Sequence, residues 1–170
     1  MLRRSFLLVG ALFLVGSPAL AAQSEPTVVF LVRHAERAED GTNDPPISDE
    51  GRNRALLLAD VLEDAGISAI HTTDYIRTRE TGRPLADRLG IAMDIYDPAD
   101  LSAFALALAA QPGHHLVLGH SNTTPDLVRA FGGDPGPPIG EMEYDRGYVV
   151  VIRADGAVGS AIFRYGSSRR

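Results

Sequence analysis

The sequence predicts an α/β fold, a three-layer sandwich with a mostly parallel central sheet and an antiparallel C-terminal edge. Three observations predict it. Short runs of Val, Ile and Leu alternate with stretches whose apolar residues recur every three or four positions. Gly residues close two of those stretches, at Gly66 and Gly90. Near the C-terminus two apolar runs are joined at Asp155-Gly156, a hairpin signal, so the last strands run antiparallel. The 170 residues suffice for one such domain.

The first element is the unbroken run 27–32, rich in Val and Phe, which reads as a strand buried on both faces. It stops at Arg33-His34. In an open α/β sheet ligands bind beyond the carboxyl ends of the strands, so this pair is placed for chemistry. A polar loop, 38–47, follows and contains Gly41, Pro45 and Pro46. Ser48 is suited to cap a helix whose first turn holds Asp49 and Glu50, with Ala55, Leu58, Ala59 and Leu62 on its buried face. Residues 67–72 read as a strand and 77–89 as a helix, with a kink at Pro84 or a late start near Gly82.

Residues 91–96 read as a further strand, turned by Asp97-Pro98, and 100–110 as a small apolar helix. The run 115–119 is the next strand and ends at His120. Pro125 suits the first turn of the helix that follows. Residues 132–140, rich in Gly and Pro, form a loop; 148–152 and 157–163 are the hairpin strands, and 166–170 a frayed tail.

Composition narrows the chemistry. There is no Cys, which excludes disulfides, a thiolate nucleophile and a Cys-ligated metal. All sixteen basic residues are Arg, which excludes a Schiff base and the Lys of a P-loop. The formal net charge of −6 argues against nucleic acid and anionic membranes as partners, yet leaves room for a small cationic pocket. Residues 1–22 have the three parts of a secretory signal: Arg3 and Arg4, an apolar run too short to span a bilayer, and Ala19-Leu20-Ala21 at the cleavage spacing. The expectation is an exported domain, residues 23–170, with no stable membrane anchor and a periplasmic or secreted location. Oligomeric state is not legible.

Arg33-His34, Arg77 and Gly119-His120 could meet at one end of the sheet. Arg forks match phosphate oxygens, helix N-termini add N–H donors, and a neutral imidazole there can attack phosphorus. Here the sequence resembles a known family. Leu31-Val32-Arg33-His34-Ala35-Glu36 is similar to the Arg-His-Gly/Ala signature of the histidine phosphatase superfamily, which includes phosphoglycerate mutases. Thr73-Asp74-Tyr75-Ile76-Arg77 resembles its second motif, an Arg four residues after a Ser or Thr, and Gly119-His120 its third. The resemblance implies that His34 is the nucleophile and that Arg33, Arg77 and His120 bind the transferring phosphoryl group. Arg37, close behind His34, is a further candidate for binding substrate.

The larger family members carry an acidic proton donor in an insertion that this chain lacks. Asp97, Asp100, Glu141, Glu143 and Asp145 are the candidates, with Glu36 equally suited to a structural role. Gly-x-Ser-x-Gly is absent around Ser121, against a serine hydrolase. His71, His114 and His115 read as structural. The expectation is a metal-independent phosphatase without a cofactor, acting on a small phosphorylated substrate, a phosphomonoester or phosphoramidate, through phospho-His34. The alternative is a non-catalytic phosphate-binding module that retains the pocket.

Overall fold

The computed structural model describes residues 25–167; the segment read as a secretory signal lies outside them. One six-stranded sheet runs through the domain. Its strands are β1 (Thr27–Arg33), β2 (Ile67–Thr72), β3 (Met93–Ile95), β4 (Gly113–Gly119), β5 (Arg146–Ile152) and β6 (Val158–Arg164), in the order β3-β2-β4-β1-β5-β6. β1 to β4 are mutually parallel where they pair, and β5 and β6 add antiparallel. Helices α1 (Asp49–Leu62) and α2 (Ile76–Leu89) cover one face, and α3 (Leu101–Ala109) and α4 (Thr123–Ala130) the other. The expected three-layer sandwich is the architecture observed.

β1 supplies both cores, because strand side chains alternate between faces. Val29 and Leu31 pack under α3 and α4 with Val117, Tyr148 and Val150. Phe30 and Val32 pack under α1 and α2 with Ile70, Leu116 and Leu118. The register of β1 on β4 then does something specific. Arg33 lies opposite Gly119, so His34 and His120 both leave the sheet one residue beyond its paired edge. The His34 N–H donates to Gly119 O at 2.9 Å, which fixes that exit.

Ser48 caps α1 through its hydroxyl, which accepts from the Gly51 N–H at 3.1 Å. α2 departs from expectation. It runs without interruption from Ile76 through Pro84, so it does not start late at Gly82. Gly82 serves packing instead: a Cβ there would lie 2.6 Å from Leu118 Cδ1, so its absence lets α2 sit close on β4. β3 is shorter than the predicted 91–96, because the Ile91 N–H donates to Ala86 O in the C-terminal cap of α2 and is not free to pair with β2. The predicted frayed tail also needs correction. Arg54 donates to the carbonyls of Tyr165 and Ser167 and holds the chain there, at least to Ser167.

Candidate active site

The residues that leave β1 and β4, together with the start of α2, enclose a cavity of about 530 Å³. Arg33, His34, Arg37, Arg77 and His120 all line it, with Tyr75, Pro98, Ala99, Ser121, Asn122 and Thr123. The structure thus places the two His and three Arg singled out from sequence around one cavity, without the acidic candidates.

His34 is buried, and its Nδ1 lies 2.7 Å from Ala35 O. A carbonyl only accepts, so Nδ1 carries the proton and Nε2 keeps its lone pair. Burial, with the charges of Arg33 and Arg77 and the His120 ring opposing protonation, outweighs the hydrogen bond to Ala35 and pushes the His34 pKa down to about 3. A neutral, unprotonated Nε2 is the form in which an imidazole is nucleophilic. The Ala35 N–H donates to Thr81 Oγ1 at 2.9 Å, and Thr81 donates to Arg77 O at 2.7 Å, so the His34 segment is tied to the first turns of α2.

Arg33 is pinned by the loop after α4. Its Nη1 donates to the carbonyls of Gly140, Glu141 and Glu143 at 3.1, 2.7 and 3.1 Å, and its guanidinium stacks on Tyr144 at 4.0 Å. Arg33 Nε is buried without an acceptor. A cation held this firmly beside the cavity is preorganised to stabilise negative charge there. Arg77, four residues after Thr73, stacks on Tyr75 at 4.3 Å and donates to Asp44 at 3.3 Å.

His120 sits with its ring 5.4 Å from that of His34 and 5.0 Å from that of Tyr75. Its backbone N–H donates to Thr123 Oγ1 at 2.9 Å. Its Nε2 is 3.1 Å from Thr73 Oγ1. Burial and the Arg77 and Arg33 charges push its pKa down to about 4, against the pull of Asp44. Gly119 makes this crowding feasible, since a Cβ there would stand 2.9 to 3.1 Å from Thr124 Oγ1, Thr123 Oγ1 and the Tyr96 hydroxyl.

No carboxylate is among the described residues lining the cavity. Glu36 forms a buried ion pair with Arg54 at 2.6 Å. Burial disfavours ionisation of Glu143, but the Gly140 N–H, Arg146 and Arg164 outweigh it and hold the pKa at about 2. Asp145 pairs with Arg164 at 2.8 Å, Asp97 accepts from the Ala99 N–H, and Asp100 caps α3. The Glu141 backbone carbonyl accepts from Arg33, and its side chain is not among the residues lining the cavity. His71 and His115 form a buried pair at 3.3 Å on the face under α3, away from the cavity. Sequence reasoning missed Asp44, Tyr75, Thr78 and Thr81; of these, only the aromatic beside Arg77 was a signal open to reading.

The sequence profile of the histidine phosphatase superfamily (branch 1) matches residues 29–101. Over those residues the chain is similar to the histidine phosphatase superfamily. Among curated proteins it is 37% identical over 76 residues to "Probable phosphoglycerate mutase GpmB" of Yersinia enterocolitica, covering 41% of this chain and 35% of that protein. The chain thus spans about a third of the length of the curated relatives it matches. The structure of the protein histidine phosphatase SixA complexed with tungstate is similar in fold, with a TM-score of 0.64, 21% identity, and 82% of this chain and 96% of that one covered. A phosphoserine phosphatase from Entamoeba histolytica, in complex with 3-phosphoglyceric acid, gives a TM-score of 0.61 at 10% identity, with 84% and 98% covered.

Proposed function

We propose that the protein is an exported, metal-independent phosphatase that hydrolyses a phosphomonoester or phosphoramidate in two steps. His34 Nε2 bonds to phosphorus as the bond to the leaving group breaks, and water then cleaves the phosphohistidine to release phosphate. Arg33, Arg77 and His120 bind the phosphoryl oxygens and stabilise the charge that develops on them. Arg37 contributes to substrate binding from the cavity rim. The single observation that carries this reading is the His34 imidazole, held neutral with Nδ1–H on Ala35 O and Nε2 unprotonated among three Arg side chains. Relatives of like fold named as phosphatases, one of them with bound tungstate, support it. Export rests on the composition of residues 1–22, and predicts protein recovered from its native host to begin at Ala22 or Gln23.

The rival reading, a phosphate-binding module without turnover, draws on the cavity's lack of a carboxylate. Hydrolysis of 4-nitrophenyl phosphate by residues 23–170, with and without chelator, decides between them. Chelator-resistant turnover that is lost in His34→Ala is the expected result. Tungstate binding without any turnover would establish the module instead.

A further inference from the structure

The hydroxyl protons around His120 decide which form of its ring meets an anion. Thr78 Oγ1 has its shortest contact, 2.8 Å, with Tyr75 O, and lies 3.0 Å from Thr73 O and 2.9 Å from Thr73 Oγ1. Both carbonyls can only accept, so the one hydroxyl proton of Thr78 is committed to them. Thr73 then donates to Thr78, and the lone pair of Thr73 Oγ1 facing His120 receives its proton from Nε2–H at 3.1 Å. In neutral His120 the opposite nitrogen, Nδ1, therefore bears a lone pair. Nδ1 has no hydrogen-bond partner among the described residues and is not a buried atom, in a side chain that lines the cavity.

A lone pair facing a phosphate oxygen repels it, whereas an N–H binds it. We propose that anions enter this pocket together with one proton, taken up at His120 Nδ1, and that Thr73 is the positioning residue that imposes this coupling by holding Nε2–H. The inference deepens the reading of the cavity as a phosphoryl site and rests on it. The groups facing His120 are Arg33, Arg77, Asp44, the His34 ring and the uncharged Tyr75 and Thr73. Arg33 and Arg77 repel a proton in the empty site, and a bound dianion cancels that repulsion. His34 also presents an unprotonated nitrogen, but its ring is buried while that of His120 is only half-buried, so His120 takes the proton first. The coupling brings an acidic proton into a cavity that no carboxylate lines.

Calorimetric titration of residues 23–170 with tungstate at pH 7 to 8.5, in buffers of different ionisation enthalpy, counts the protons. Tungstate stays a dianion there, so any uptake belongs to the protein. The expected result is close to one proton per anion, and a roughly tenfold loss of affinity per pH unit. Uptake persists in His34→Asn, is lost in His120→Asn, is lost in Thr73→Val, whose His120 is free to change tautomer, and returns in Thr73→Ser. Tungstate binding to wild type without proton uptake, or uptake undiminished in Thr73→Val, overturns the proposal while leaving the phosphoryl site intact. No binding at all would reject the site reading as well. Nitrogen NMR of the anion-free wild type is a check that needs no variant: His120 should show the Nε2–H tautomer, and an Nδ1–H pattern would refute the assignment.

Discussion

At the scale of single residues, the site depends on cations that cannot turn away. Arg33 gives one nitrogen to three carbonyls and sits over the Tyr144 ring, with Nε buried and without an acceptor. A Lys cannot reproduce a planar fork. Arg33→Lys should lower kcat/KM for an aryl phosphate by roughly a hundredfold or more, the size of effect seen when one preorganised donor is removed; a change within threefold would show that Arg33 only braces the loop. The residues at strand ends were legible because a polar pair after an apolar run has few places to go. Asp44 and Thr78 were not, because each acts through a backbone group or a neighbouring Arg that only the fold brings near. The acidic candidates misled for the opposite reason. Glu143 lies close in sequence to the site loop, but Arg146 and Arg164 claim its carboxylate.

Among elements, α1 is attached to the site from behind. Its Arg54 makes a two-pronged pair with Glu36, two residues past His34, and binds the carbonyls of Tyr165 and Ser167. Both partners are buried, so Glu36→Gln leaves a charge uncompensated and should cost about 3–5 kcal/mol in denaturant unfolding. A loss below about 1 kcal/mol would mean that water reaches the pair. Gly51 is the second point of attachment: a Cβ there would stand 2.3 Å from Glu36 O, a backbone atom that cannot rotate aside. Gly51→Ala should destabilise by about 1–3 kcal/mol, as overpacking does, and a thermal melt unchanged from wild type would contradict that contact. Helix α1 and strand β2 were readable from caps and periodicity. The continuity of α2 through Pro84 was not, since close packing on Leu118 and Leu85 in the core outweighs one missing hydrogen bond.

Over the whole molecule, buried imidazoles set the response to acid. His34, His71 and His120 have pKa values of about 3, 4 and 4 in the folded protein, against 6.5 for an unperturbed His. Above pH 6.5 both folded and unfolded chains hold these groups neutral, and nothing is lost. Below it the unfolded chain binds protons that the folded one refuses, so stability falls as the pH drops from 6.5 towards 4. The Glu143 carboxylate, held at about 2, adds a separate loss only below its ordinary value of 4.5. Urea midpoints should therefore be level from pH 8.5 to 7 and decline steeply between 6.5 and 4.5. A midpoint independent of pH across that interval would show these rings to be solvated. The layers and the antiparallel edge were legible from the order of elements alone. The register that sets Arg33 against Gly119 was not, although it is what places His34 beside His120.

The central claim is that His34 carries the phosphoryl group. Rapid quenching of residues 23–170 during turnover of a labelled aryl phosphate, followed by peptide mapping, measures it directly. The account predicts phosphate that is labile in acid and stable in base, on the peptide containing His34, approaching one per chain and missing from His34→Ala. Full turnover with no phosphoryl-enzyme, or label on another residue with His34→Ala still active, would contradict it.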